Sequence, residues 1–127
     1  MSSIISALLY YCILIPISLL PFPVMYFVSD IFFVILYYIF SYRKKLVIAN
    51  LKRSFPQKSE KEILQITKEF YKHFCDIVFE TLKVFTASPG TIKSRVILEN
   101  TDILRNYYKQ GKSVIVVTGH YSNWEWP

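Results

Sequence analysis

From residue 4 to residue 20 the chain reads IISALLYYCILIPISLL, seventeen positions without a charge. As a helix this run is about 25 Å long at roughly 1.5 Å per residue, near the short end for crossing a bilayer. PFP follows, and Pro21 and Pro23 break the helix there. A second apolar run, VMYFVSDIFFVILYYIF, covers 24–40. Polarity then switches abruptly at SYRKK, with Arg43, Lys44 and Lys45 together and Lys52 and Arg53 close behind.

Past the switch the period changes. RKKLVIANLKRSFP reads as a short helix closed by Pro56. SEKE is a capping box, Ser59 capping while Glu62 reaches back three residues on. Ile63, Ile66, Phe70, Phe74, Ile77, Val78, Thr81 and Val84 then recur at steps of three and four among charged neighbours. That spacing predicts an amphipathic helix over roughly 60–86 with one apolar face. His73 reads as a solvated surface histidine, and Cys75 as filler at the edge of the apolar stripe.

SPG at 88–90 punctuates the chain, RVILE reads as a short strand, and NTDILRNYYKQG as a helix. Asn100 or Thr101 caps that helix, Leu104 and Tyr107 or Tyr108 face inward, and Gly111 stops it. KSVIVVT follows as an apolar strand. Strand, helix and strand in that order predict a βαβ unit, a parallel sheet and an α/β class. The expected organisation is a membrane anchor or hairpin over 1–40, then amphipathic helices and the first βαβ part of a catalytic domain over 41–127.

Charge sharpens this division. All 15 Lys and Arg lie from Arg43 onward, facing eight of the nine acids, whereas residues 1–40 hold only Asp30. Lipid is the implied solvent of the first forty residues, and water or a headgroup surface that of the rest. The cluster from Arg43 to Arg53 holds the downstream part on the cytoplasmic side by the positive-inside rule. A cleaved signal peptide fits poorly, since no Lys or Arg precedes the apolar run. A buried core hairpin is the stronger alternative, because Asp30 and three prolines are awkward in lipid. Cys12 and Cys75 lie in segments of different character, so a reducing setting is expected. No Cys/His spacing suits a metal, and the basic residues are interspersed with acids in no nucleic-acid-binding motif.

The chain closes on GHYSNWEWP. Groups that act chemically collect beyond the carboxyl ends of parallel strands, and His120 is the first side chain presented there. Glu125, five residues on, cannot share a helix face with it. A turn folding Glu125 back would put a carboxylate on one ring nitrogen, fixing the tautomer and raising the basicity of the other. On spacing alone, a histidine satisfied by backbone at a strand end stays open as a reading.

The whole phrase SVIVVTGHYSNWEW resembles the motif of the bacterial lipid A biosynthesis acyltransferases, the lauroyl/myristoyl transferase family. YRKKLVIANLKRSFPQKS is similar to that family's basic helix ending in Ser-Phe-Pro, and EFYKHFCDIVFETLKV to its next helix. The resemblance implies O-acyl transfer from a thioester, on acyl carrier protein or CoA and with no other cofactor, to a lipid A precursor at the inner membrane. By position, His120 would be the general base and Glu125 its orienting partner. Asn123 and Trp124 would shape the turn and the substrate path. Acidic acyl carrier protein and a phosphorylated glycolipid both suit the basic second part. Family members run on past this motif, which implies that the chain is an N-terminal portion. An aminolipid or phosphoglycolipid acceptor, or an inactive membrane-anchored module, are the alternatives.

Overall fold

The computed structural model describes residues 2–97, 99–117, 119, 122, 123 and 126. Among them every regular element is helical, at 74% helix with no strand. The elements are α1 (Ser2–Leu9), a π-helical segment (Tyr10–Leu14), α2 (Ile15–Leu19), α3 (Phe22–Val34) with a π-helical extension (Ile35–Ile39), α4 (Lys44–Ser54), α5 (Glu60–Val84), α6 (Pro89–Arg95) and α7 (Thr101–Lys109). They divide into two compact units, Met1–Thr86 and Ala87–Pro127.

In the first unit, local chemistry explains each boundary. Pro16 stands at the start of α2 and cannot donate to the carbonyl four residues back. The preceding turn widens instead, the Ile15 N–H reaching Tyr10 O. Helix α2 stops before Pro21, and its last carbonyls would be orphaned. Lys83 Nζ donates to Ser18 O at 2.8 Å and to Leu20 O at 2.7 Å, and Thr86 Oγ1 donates to Ser18 O at 2.6 Å. The far end of α5 thus caps α2. The capping box at the other end of α5 forms as expected: the Ser59 N–H donates to Glu62 Oε2 at 2.9 Å and the Glu62 N–H to Ser59 Oγ at 3.4 Å.

Helices α3 and α5 run antiparallel, as their bonded pairs require. Tyr26 Oη donates to Glu80 Oε1 at 2.7 Å, Ser29 Oγ donates to Asp76 Oδ1 at 2.7 Å, and Lys72 pairs with Asp30 at 3.3 Å. Beyond them lies the core cluster of Phe33, Tyr37, Tyr71 and Cys75, flanked by Leu36 and Val47. Tyr37 sits 5.5 Å centroid to centroid from both Phe33 and Tyr71, within the range aromatic pairs prefer.

The buried line of α5 shares only Ile63 with the expected stripe. It runs Ile63, Thr67, Tyr71, Cys75, Phe79, a quarter-turn or so away from the aromatic stripe. Phe70 and Phe74 stay 46% and 40% exposed. Two residues with small side chains, Thr67 and Cys75, are fully buried on this line. Narrow side chains let neighbouring helices come close, and that outweighs the larger but bulkier aromatic face.

The α/β class is overturned. A strand needs a neighbour to meet its backbone groups, and among the described residues neither 95–99 nor 112–118 has one. Arg95 belongs to α6, an additional helix started by Ser88, whose Oγ accepts from the Thr91 N–H at 3.1 Å, with Pro89 at its first turn. The punctuation at SPG is therefore a helix start. Helix α7 is present as expected, and Gly111 stops it with φ 66. The Gly111 N–H donates to Tyr108 O and the Lys112 N–H to Tyr107 O, the paired bonds of a Schellman turn. The tyrosines and Leu104 expected to face inward remain exposed, Tyr108 at 83%.

Candidate functional site

The residues expected to carry chemistry lie in the second unit, at its closing phrase. His120, Glu125, Trp124 and Tyr121 fall outside the described residues. Asn123 is half-buried, Trp126 is buried, and Ser122 adopts a left-handed backbone with φ 57. A serine held there costs of order 1–2 kcal/mol relative to right-handed backbone, so the turn in this phrase is set by more than local preference. Upstream, an open hollow of about 600 Å³ lies between α7 and the segment after it, lined by Leu104, Tyr108, Gly111, Lys112, Ser113 and Val114.

The first unit supplies two further surfaces. Where the apolar helix ends, Ser41, Arg43, Lys44, Lys45 and Ile48 line a basic hollow of about 430 Å³. Ser41 and Arg43 both have left-handed backbone, φ 46 and 53, and this sharp corner turns the chain into α4. Lys44 Nζ stands 3.6 Å above the Tyr37 ring, a cation–π contact that fixes its direction. On the opposite side of α4 a smaller groove of about 300 Å³ is lined largely by Tyr42, Leu46, Asn50, Phe70 and Phe74.

Titrating groups around these surfaces follow their partners. The Tyr71 hydroxyl donates to the Tyr42 carbonyl, and burial first, then Tyr37, raises its pKa. Burial pushes the Cys75 thiol from 9.0 to about 11, with Asp76 adding to the shift. A hydrogen bond from Lys52 and its charge lower the Glu60 pKa, and the Ser59 backbone N–H does the same for Glu62. Among the described residues no group of three His, Cys, Asp or Glu could hold a metal ion.

Sequence reasoning missed the polar ladder between α3 and α5, although its signal is present. Tyr26, Ser29 and Asp30 share one flank of an otherwise apolar run, and Lys72, Asp76, Glu80 and Lys83 repeat at the matching three- and four-residue steps. Asp30, which looked out of place in an apolar segment, is the α3 member of one of its pairs.

The 18 residues Phe22–Ile39 are long and apolar enough to cross a membrane, with a mean hydropathy of 1.8. Only 22% of that stretch is buried within the protein, and the core helix of a water-soluble domain would be mostly buried. The first unit thus carries an apolar helical stretch on its surface. The sequence profile described as bacterial lipid A biosynthesis acyltransferase matches residues 1–127, the entire chain. The protein belongs to that family and is an acyltransferase. Searches of curated proteins and of solved structures return no match to it.

Proposed function

We propose that this acyltransferase works on the cytoplasmic side of the bacterial inner membrane and moves a fatty acyl chain from a thioester to a hydroxyl of a lipid A precursor. The family match over residues 1–127 carries this reading. The run of apolar side chains through residues 4–40 and the basic hollow at Arg43, Lys44 and Lys45 support the location. Basic residues near an anionic surface contribute about 1 kcal/mol each.

In this reading His120 takes the proton of the acceptor hydroxyl as its oxygen attacks the thioester carbonyl. The carbonyl–oxygen bond forms, the carbonyl–sulfur bond breaks, and the imidazolium returns the proton to the leaving thiolate. Glu125 holds the imidazole in one tautomer and favours its charged form. Asn123 and Trp124 shape the turn that presents both. The donor is acyl carrier protein or CoA, and no other cofactor is needed for these steps.

Lipid mass spectrometry of cells carrying the wild-type gene or its His120→Ala version tests the proposal. The expected result is lipid A lacking one acyl chain in the variant, with a drop of about 10²–10⁴-fold in transfer for a lost general base. Loss of an acyl chain from an aminolipid or phosphoglycolipid would move the acceptor to that class. An unchanged lipid profile with the purified wild-type protein inactive would favour an inert module.

A further inference from the structure

If the protein is membrane-bound as proposed, its longest apolar helix need not cross the bilayer. We infer that α3 lies along the membrane surface, its exposed flank in the acyl region of an anionic leaflet and α5 towards water. Asp30 and its partner across α5 motivate this. Asp30 occupies the middle of the Phe22–Ile39 stretch. In a crossing helix it would stand near the centre of a hydrocarbon layer of roughly 30 Å, the worst depth for an ion. It is not shielded there: the Asp30 and Lys72 side chains are 53% and 58% exposed.

Nor can α3 enter alone. Its inward face is bonded to Glu80, Asp76 and Lys72 in antiparallel order, and Lys83 holds the end of α2 that precedes it. Carrying α3 across the core would bring the charged residues of α5 from Lys72 to Lys83 into the hydrocarbon with it. Laid flat, the same assembly needs none of this. Val24, Phe27, Ile31, Val34 and Tyr38 are all exposed, and they recur at steps of three and four along one flank. Met25, Ser29, Phe33 and Tyr37, the buried residues, take the other. The Asp30–Lys72 pair then falls at the boundary between the two flanks, where headgroups and water reach it. The hollow at Arg43, Lys44 and Lys45 follows directly on the end of this helix, which places cations where anionic headgroups lie. An apolar flank with a charged opposite side is the pattern of an interfacial helix, seated about 5–10 Å into the headgroup–acyl boundary.

A nitroxide depth scan separates the geometries. Single cysteines at Val24, Phe27, Ile31, Val34 and Tyr38 are placed in a Cys12→Ser background, since Cys12 is exposed and Cys75 buried. The full chain is reconstituted in phosphatidylethanolamine–phosphatidylglycerol vesicles, and oxygen and nickel-chelate accessibilities give each depth. These positions are exposed, so the labels leave the core untouched. A surface helix gives five depths within about 5 Å of one another, all near the headgroup–acyl boundary. A crossing helix climbs roughly 21 Å from residue 24 to residue 38 at 1.5 Å per residue. It would show Ile31 deepest and both ends shallow, and that profile would overturn the inference while leaving membrane attachment intact. Five labels fully accessible to the nickel chelate and closed to lipid would set α3 clear of the bilayer and overturn the inference as well.

Discussion

The two units of the chain use apolar residues in opposite ways. In Met1–Thr86 the apolar helices enclose a line of partners along α5, and the polar groups among them find hydrogen bonds. In Ala87–Pro127 the most apolar run, Val114 to Val117, is 44–91% exposed. The difference is one of backbone bonding. A helix satisfies its own N–H and C=O groups, so α3 and α5 need only side-chain partners from each other. A strand-like segment satisfies nothing until another strand lies beside it.

The largest expected effect breaks the first unit outright. Deleting residues 1–40 removes Phe33 and Tyr37, which pack with Tyr71 and Cys75 of α5, and Phe32, whose ring meets Phe79 edge-on. The apolar segment is therefore half of the core as well as the proposed anchor. The deletion should abolish the cooperative thermal transition followed by circular dichroism. A cooperative melt at an unchanged temperature would mean that α4 and α5 fold without it. For the same reason, release of the deleted protein from membranes would not by itself identify the anchor.

A single substitution sharpens the contrast. Phe33→Ala empties a buried site and should cost about 3–5 kcal/mol in urea unfolding. Leu104→Ala on α7 removes a side chain that is 45% exposed, and should stay within about 1 kcal/mol. Equal losses at the two positions would show that α7 is covered as fully as α3.

This contrast also decides what was legible in the sequence. The capping box at Ser59 and Glu62, the stop of α4 before Pro56 and the glycine stop of α7 are local rules, and each appears where the residues put it. The strands at 95–99 and 112–118 were read from β-branched runs, whose meaning depends on neighbours the local pattern does not contain. Ser88-Pro89 was read as a break because both residues favour turns, yet the same pair starts a helix. The buried face of α5 differs from the apolar spacing because that spacing follows Ile66, Phe70 and Phe74, while the line that packs inward runs through Thr67, Tyr71 and Cys75. Of the proposed site, the phrase itself was legible. His120, Trp124 and Glu125 lie outside the described residues, and only Asn123 has a place in the structure.

Cys75 turns core burial into a pH effect. Its thiol is raised from 9.0 to about 11 by burial, so the folded state holds a proton that the unfolded chain releases. A folded pKa above the unfolded one gives stability that is complete below pH 9 and is lost as pH rises towards 11. Denaturant midpoints should fall across that window, and the fall should shrink in Cys75→Ala measured against its own low-pH value. Exposed Cys12 should react with a thiol reagent at pH 8 well before Cys75. Comparable rates at the two cysteines would mean that the core around Tyr71 opens readily.

The smallest effects compare how the two units begin a helix. Ser59 accepts from the Glu62 N–H and receives the Glu62 carboxylate in return, whereas Asn100 starts α7 with φ 55 and no side-chain cap bond. Ser59→Ala should therefore cost about 1 kcal/mol, in the usual range for a lost cap. Asn100→Gly should be neutral or stabilising by a few tenths of a kcal/mol. Glycine enters the left-handed region without the strain a side chain adds, and no cap bond is given up. Unfolding curves at pH 7 suffice to read both. If Asn100→Gly destabilised as much as Ser59→Ala, the asparagine side chain would be holding the start of α7 through a bond, and the second unit would be more like the first than its exposed surface suggests.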